Sequence, residues 1–185
     1  MTDNLYPDNL RFELADTDQF TALYQAAHDD GRWPATLCNL PLCRRFVADW
    51  SARVTLCTGR LELVRRAQGG DAIGFTTVAV VDATFAPKGI QAAEAGTYLV
   101  LTSRGKGHNV EVKRHQRRLA RDVYGAKFLV FVVEEQNVPA RRAMHNLPWP
   151  STQVTMSMTD DPWYRFLRRR AWEEQRTSVL YVQEL

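Results

Sequence analysis

The spacing of apolar residues predicts one strand and then two helices in the first part of the chain. Residues 9–16 alternate apolar and polar side chains, which is the period of a half-buried strand. Residues 17–31 carry apolar side chains at helical spacing, and either Asp16 or Thr17 provides the N-cap. A second helix is predicted for residues 41–54, which begin with a proline.

The middle of the chain has the pattern of strands. Residues 59–85 turn around a Gly-Gly pair, so we predict a hairpin whose second strand reaches Phe85. A loop rich in Pro and Gly follows at 86–96, and a short apolar strand is predicted at 97–102. The continuous apolar run FLVFVV lies in a strand predicted at 128–135. Such a run is typical of a strand that is covered on both faces, as in a parallel sheet.

The last part of the chain predicts two more helices and two more strands. A short helix is expected at 137–147, a strand at 151–160, a helix at 161–176 and a closing strand at 177–185. The order of all these elements indicates the α/β (α+β) class. We expect a single domain over residues 1–185, with a mixed, mostly antiparallel sheet, a central βαβ unit and flanking helices.

Composition adds few constraints on function. The chain has 24 Lys and Arg against 21 Asp and Glu, and this net charge of +3 does not by itself indicate a nucleic-acid-binding protein. We expect no leader peptide and no membrane partner, because no cationic segment precedes an apolar run and no stretch has the roughly 20 apolar residues of a span. The three cysteines, Cys38, Cys43 and Cys57, cannot all pair with one another, and no Cys/His set completes a metal site. A cytoplasmic protein with reduced, buried cysteines and no bound metal fits best.

The most informative segment is the glycine-rich turn SRGKGHN between a predicted strand and a predicted helix. The first N–H groups of a helix have no partner within the helix, and the helix dipole favours negative charge there. Gly105 and Gly107 would let this backbone approach a phosphate closely. Arg104 and Lys106 would add positive charge, and the amides from Gly105 to Asn109 would donate hydrogen bonds. By itself the turn also fits an ordinary basic connection, so the flanking elements decide between the two interpretations.

Two common phosphate-binding motifs are excluded, and a third pattern matches. A Walker loop needs Gly-Lys-Ser/Thr, which is absent, and a dinucleotide fingerprint needs a glycine where Val110 stands. The order strand, R-G-K-G, helix, apolar strand, N-x-x-A and short helix resembles the GNAT superfamily of N-acetyltransferases. The acetyl-CoA signature of that family, R/Q-x-x-G-x-G/A, would begin here at Arg104. Asn137 and Ala140 match the N-x-x-A part.

This resemblance implies direct transfer of an acetyl group from acetyl-CoA to an amine within a ternary complex. It also implies that the strands at 97–102 and 128–135 splay apart, and that main-chain groups of the first strand bind the pantetheine arm and polarise the thioester carbonyl. Asn137 would bind the coenzyme or cap the next helix, and both alternatives stay open. The implied coenzyme-binding residues are Leu99, Leu101, Thr102, Arg104, Gly105, Lys106, Gly107, His108, Asn109, Asn137 and Ala140.

Candidates for the chemical step are less clearly marked. The amine must be neutral to attack, so a general base is needed. We consider Glu94, expected in a loop before the central strand, Tyr98 on that strand and His145 on the short helix. The family often has a Tyr seven residues after the Asn, as the acid for the departing thiolate, and here that residue is Met144. His145 does not simply replace the Tyr, because helix neighbours point about 100° apart, and water could supply the proton.

A second hypothesis assigns the chain to a different functional class. The helix predicted at 107–123 has arginines at i, i+3, i+4 and i+7, a stripe that could contact the phosphates of RNA or a ribosomal surface. The stripe consists of Arg114, Arg117, Arg118 and Arg121, with Lys113 next to it. A non-catalytic GNAT-like module is a third alternative. We favour the enzyme, and we find no motif that identifies the acceptor amine or the oligomeric state.

Overall fold

A computed structural model of the chain describes residues 9–29 and 40–185, with side chains described at 9–25 and 44–185. Within this part the chain forms the helices α1 (Thr17–Asp29), α2 (Leu40–Thr55), α3 (His108–Arg118), α4 (Val138–His145) and α5 (Tyr164–Glu174). The strands are β1 (Leu10–Leu14), β2 (Gly59–Arg66), β3 (Ala72–Val80), β4 (Ala92–Leu99), β5 (Phe128–Glu134), β6 (Thr152–Val154) and β7 (Ser178–Glu184).

The strands form one open, mixed sheet in the order β1-β2-β3-β4-β5-β7-β6. β4 and β5 pair in parallel, whereas the pairs β1–β2, β5–β7 and β6–β7 are antiparallel. α3 lies between β4 and β5 in the chain, so the predicted βαβ unit is present. The α/β class and the mixed sheet expected from the sequence are confirmed.

Contacts between Cα atoms divide the chain into two compact units. The first unit comprises Met1–Thr77 and Thr97–Gln116, and the second comprises Val78–Gly96 and Arg117–Leu185. β3 and β4 each contribute residues to both units. The single domain expected over 1–185 stays a prediction.

The core of the first unit forms where α1 and α2 cover β2, β3 and the end of β4. Phe20 of α1 is fully buried, and its ring meets the ring of Phe75 edge-on, with 4.9 Å between the centroids. Asp16 Oδ1 accepts the N–H of Gln19 at 2.9 Å, so Asp16 is the cap of α1. The buried cluster consists of Phe20, Leu23, Tyr24, Val47, Leu61, Leu63, Phe75 and Tyr98. A smaller buried cluster contains Leu10, Val64, Ile73, Leu99 and Val112 of α3.

The core of the second unit forms where α5 packs on β5, β6 and β7. Trp163, just before the helix, meets the ring of Phe128 edge-on at 5.9 Å. Phe166 and Leu167 on the buried face of α5 contact apolar residues of the strands. The cluster consists of Val81, Ala92, Val130, Val154, Trp163, Phe166, Leu167, Leu180 and Val182.

The ends of three predicted strands differ from the structure. β3 ends at Val80, because Asp82 accepts the N–H of Thr84 at 2.8 Å and closes a turn before Phe85. β4 begins at Ala92, inside the predicted loop, and ends at Leu99. Residues 101–103 form a 3-10 turn instead of strand. β6 has only three residues, and the predicted strand 151–160 was too long.

The expectation of buried cysteines is wrong at Cys57. This residue is exposed in the turn after α2, where its backbone φ is +53°. Cys38 and the side chain of Cys43 lie outside the described part of the chain. Among described residues, no group of three or more His, Cys, Asp or Glu side chains could hold a metal ion. None of the helices in residues 9–29 and 40–185 is long and apolar enough to cross a membrane.

Candidate functional site

The glycine-rich turn of the first unit has the backbone conformation that requires glycine. Gly105 has a φ of +73° and Gly107 a φ of +83°, which residues with a side chain rarely adopt. A Cβ added to either glycine would meet no heavy atom within 4 Å. The two glycines therefore set the path of the chain, and the space in front of them is open to a ligand.

The N–H groups of this turn are available to a ligand. In the described structure, the amides from Gly105 to Asn109 donate to no protein acceptor, and the next amide, that of Val110, donates to the Gly107 carbonyl at 3.0 Å. α3 begins at His108, so its dipole adds positive potential to these donors. Consecutive free amides at a helix N-terminus favour the binding of an anion.

Arg104 stabilises the entry to the turn. Its Nε donates to the Leu99 carbonyl at 2.7 Å, and its guanidinium lies 5.5 Å from the centroid of the Tyr98 ring. Its backbone N–H donates to the Leu101 carbonyl at 3.2 Å. Lys106, in contrast, is exposed beside the two glycines. We therefore assign Arg104 to the conformation of the turn and Lys106 to its positive charge.

Asn109 stands where the acetyl-CoA signature has Gly or Ala, but the structure accommodates asparagine at this position. The residue lies in the first turn of α3, where the backbone is helical and no positive φ is needed. The N–H group that a phosphate would use is present in asparagine as in glycine or alanine. The side chain is half-buried, as is that of His108 before it.

The predicted coenzyme-binding residues before the turn do not all lie on a strand. Leu99 is the last residue of β4 and is buried, whereas Leu101 and Thr102 are exposed in the 3-10 turn. The expected extended backbone at Leu101 and Thr102 is therefore wrong. The cause is the turn itself, which closes through the N–H of Ser103 and the carbonyl of Val100 at 2.9 Å.

The second unit shows one of the two roles considered for Asn137. Its Oδ1 accepts the N–H of Ala140 at 3.2 Å, so Asn137 is the N-cap of α4. Met144 of this helix is buried. His145 is exposed, and its Nε2 lies 3.4 Å from the hydroxyl of Tyr181, a fully buried residue of β7.

Glu94 lies within β4, and the loop position expected from the sequence is wrong. Its Oε1 is 3.0 Å from Nη2 of Arg170, and 28% of its side chain remains exposed. Burial raises the pKa of Glu94 above its usual range, and the positive charge of Arg170 opposes this rise. Alternate residues of a strand share a face, so Glu94 and Tyr98 are on the same face of β4. Tyr98 is buried, with its ring 5.5 Å from that of Phe75.

The basic stripe of α3 is not a continuous exposed face. Lys113 is buried, and Arg117 is half-buried and donates to Gln183 at 3.2 Å and to the Glu184 carbonyl at 3.1 Å. Arg121 is exposed and forms an ion pair with Asp122 at 2.7 Å. Because Arg117 and Arg121 are engaged by other groups of the protein, the stripe gives little support to phosphate binding along this helix.

A buried polar network in the first unit was missed by the sequence analysis. Lys113 Nζ and Gln116 Nε2 each donate to Thr97 Oγ1 at 3.0 Å, and Gln116 also donates to Thr76 Oγ1 at 2.6 Å. Burial lowers the pKa of Lys113 to about 7. Polar residues of a helix are usually exposed, so no pattern in the sequence indicated that these two side chains are buried. The network joins α3, which follows the glycine-rich turn, to β4, which precedes the turn, and to β3.

A cluster of charged residues on α5, next to Glu94, was also not identified from the sequence. Arg170 of α5 forms ion pairs with Glu173 and Glu174 of the same helix, and it also binds Glu94. Their i, i+3 and i+4 spacing on a predicted helix is visible in the sequence. Their contact with β4 is not visible there, because about 80 residues separate the two segments.

Comparisons with known proteins support the fold. No protein-family model matches the sequence, and no curated protein matches it. A solved structure of RimL, a ribosomal L7/L12 alpha-N-protein acetyltransferase in complex with coenzyme A, has a TM-score of 0.68 at 14% identity and covers 97% of this chain and 96% of its own. RimJ of Mycobacterium smegmatis, with a CoA-disulfide, gives 0.67 at 10% identity, with 95% and 81% covered. FdhC, a nucleotide-linked sugar GNAT, gives 0.67 at 11% identity, with 100% and 91% covered.

At these identities the likeness concerns the arrangement of helices and strands. It extends over nearly the whole chain and over nearly the whole of the RimL structure. The chain therefore has the fold of the GNAT acetyltransferases, as the glycine-rich turn and the order of the elements predicted.

Proposed function

We propose that this protein is an N-acetyltransferase, which transfers an acetyl group directly from acetyl-CoA to an amine in a ternary complex. The observation that carries the proposal is the open turn whose amides, from Gly105 to Asn109, have no acceptor in residues 9–29 and 40–185. Structures of the same fold, those of RimL and RimJ, contain coenzyme A or a CoA-disulfide. The fold alone leaves the activity open, so the turn is the specific support.

The chemistry of the turn fits the diphosphate of the coenzyme. A diphosphate offers several acceptor oxygens and negative charge, and the turn offers consecutive N–H donors, a helix N-terminus and the exposed Lys106. Glycine at 105 and 107 keeps the approach open. Arg104 holds the turn through the Leu99 carbonyl, so the donors are positioned before the ligand arrives.

The main chain of β4 is suited to an extended arm. The ladder between β4 and β5 pairs Ala92 with Phe128, Ala93 with Leu129 and Glu94 with Val130, and β4 continues to Leu99. Main-chain groups beyond a ladder can bind an extended ligand as a further strand would. The coenzyme, when bound, would supply an activated thioester. For Asn137, the side-chain NH₂ is the group we assign to the coenzyme, because Oδ1 caps α4.

We assign the general base to Glu94. An amine that enters as ammonium must lose a proton before it attacks, and a base with a raised pKa binds that proton more readily than an ordinary carboxylate. Burial raises the pKa of Glu94, yet the side chain remains partly exposed. Tyr98 packs in the core, and Nε2 of His145 lies against the hydroxyl of Tyr181, so we assign this role to neither residue. Met144 cannot donate a proton, and we assign that step to water.

Two measurements, made one after the other, test the proposal. First, thermal unfolding is followed with increasing acetyl-CoA, where saturation at ~100 times Kd should add ~2.7 kcal/mol to the free energy of unfolding. Second, a panel of amines is screened for release of the free thiol. The matched variant Glu94→Gln should bind acetyl-CoA as the wild type does and release thiol at least ~100-fold more slowly. No stabilisation of the wild type by acetyl-CoA would refute the proposed function.

A further inference from the structure

Arg170 of α5 is bound by three carboxylates at once. Its Nη2 lies 3.0 Å from Glu94 Oε1 and 2.7 Å from Glu174 Oε1. Its Nη1 lies 3.2 Å from Glu173 Oε2. The buried Nε donates to no acceptor in the described part of the protein. Both terminal nitrogens are therefore engaged by carboxylates, and one of these carboxylates belongs to the sheet.

A second arginine of α5, Arg169, also contacts Glu173. Arg169 Nε contacts Glu173 Oε1 at 2.5 Å, and its guanidinium lies 3.3 Å from the centroid of the Phe85 ring. Glu173 is thus shared by two guanidinium groups, one on each carboxylate oxygen. Because Arg169 is fixed against an aromatic ring, Glu173 has little freedom to release Arg170.

We propose that Arg170 is a positioning residue for Glu94, and this inference rests on the proposed function, in which Glu94 is the base. The guanidinium fixes Oε1 of Glu94, while Oε2 has no hydrogen-bond partner among the described residues. Oε2 then receives the proton when an N–H bond of the acceptor ammonium breaks and an O–H bond forms. Glu173 and Glu174 hold the guanidinium in place, so the orientation of Glu94 is set before the amine binds.

The electrostatics of Glu94 agree with this geometry. Burial raises its pKa, Arg170 opposes the rise, and Glu174 and Glu173 add to it. These charged groups all lie on α5, and the residue opposite Glu94 on β5 is the neutral Val130. Removal of the guanidinium would leave burial and two carboxylates acting on Glu94. The pKa of Glu94 should then rise further, by about 1–3 pH units for the loss of an adjacent opposite charge.

The test compares Arg170→Gln and Arg170→Lys with the matched control Arg168→Gln. Arg168 is an exposed arginine of the same helix and has no ion pair among the described residues. The pKa of Glu94 is measured from its side-chain carboxyl ¹³C signal, assigned by its loss in Glu94→Gln. The pH profile of kcat/KM is measured with the amine that releases thiol. Circular dichroism verifies that each variant is folded.

We expect Arg170→Gln to raise both the pKa of Glu94 and the midpoint of the acidic limb of the profile by about 1–3 pH units. Arg170→Lys should move both by less, and Arg168→Gln should move neither. An unchanged carboxyl titration in folded Arg170→Gln would overturn the inference. A shifted titration with an unshifted acidic limb would also overturn it, since the pair would then be structural. The NMR measurement needs no turnover, so failure of the proposed function is recognised separately, by the absence of thiol release.

Discussion

Replacing Lys113 by methionine should remove a pH dependence from the stability of this protein. The Lys113 side chain is buried, with 5% of its surface exposed, and donates to Thr97 at 3.0 Å. Burial lowers its pKa from the ordinary 10.5 to about 7. Methionine has a similar length and no charge, so it fills the same space without the cost of burying an ammonium.

The magnitude follows from proton linkage. Between pH 7 and pH 10.5 the unfolded chain binds a proton at Lys113 that the folded protein does not bind. The free energy of unfolding therefore rises with pH in this window, by at most about 1.4 kcal/mol per pH unit. Because the folded group is still partly protonated at the lower end, the gain from pH 7 to pH 9 is about 2 kcal/mol. Stabilisation is lost again as the pH falls towards 7.

The assay is urea unfolding at pH 7, 8 and 9, followed by circular dichroism, for the wild type and for two variants. Other groups titrate in both proteins, so the relevant quantity is the difference between wild type and Lys113→Met at each pH. The gain in stability from pH 7 to pH 9 should be about 2 kcal/mol smaller in Lys113→Met. Lys127→Met, which changes an exposed lysine, should follow the wild type. Equal gains in Lys113→Met and the wild type would show that Lys113 is not buried as a neutral amine.

Two further predictions concern the backbone. Gly74→Ala should lower the free energy of unfolding by about 3 kcal/mol, because its Cβ would lie 2.1 Å from the Tyr98 carbonyl oxygen and a backbone atom cannot move aside easily. Urea unfolding measures the change in stability, and a Gly74→Ala variant as stable as the wild type would contradict the close approach of β3 and β4 at this position. Asn137→Ala should lower stability by about 1 kcal/mol through loss of the N-cap of α4, and Asn137→Ser should restore most of it. Equal stability of the alanine and serine variants would argue against the cap.

Local patterns in the sequence predicted much of the fold. β1, α1 and the β2–β3 hairpin were predicted from periodicity and turn residues, which act over a few positions. The glycine-rich turn was predicted from two glycines between a strand and a helix, and the positive φ of Gly105 and Gly107 explains why glycine occupies both positions. Its position between a strand and a helix then indicated the family resemblance, and the fold is confirmed.

The start of β4 could not be predicted, because its residues have low strand propensity. The segment AAEAG at 92–96 contains mostly alanine and glycine, which are depleted in strands. In the structure β4 has a neighbouring strand on each side, β3 and β5, so pairing overrides local propensity. Because the low strand propensity hid the first half of β4, the strand was predicted only at 97–102 and Glu94 was predicted to lie in a loop.

The polar contacts of the candidate site depend on residues that are distant in sequence. Lys113 and Gln116 belong to a helix whose pattern indicates an exposed surface, and their partners Thr76 and Thr97 come from two strands. The ion pair between Glu94 and Arg170 joins two residues of the second unit that are far apart in the sequence. Periodicity identifies faces of single elements, and it does not identify which polar side chains meet across them.

Binding of the coenzyme diphosphate by the glycine-rich turn is tested by a calorimetric titration of coenzyme A into the wild type, Gly107→Glu and Gly69→Glu. Both glycines have a positive φ, +83° and +91°, and an added Cβ meets nothing within 4 Å at either position, so the strain of substitution is matched. Gly69 lies in the β2–β3 turn, whereas Gly107 lies in the turn whose amides have no acceptor among the residues that the structure describes. We expect the wild type and Gly69→Glu to bind coenzyme A alike, and we expect folded Gly107→Glu not to bind it. Equal affinity of folded Gly107→Glu would contradict the assignment of this turn to the diphosphate.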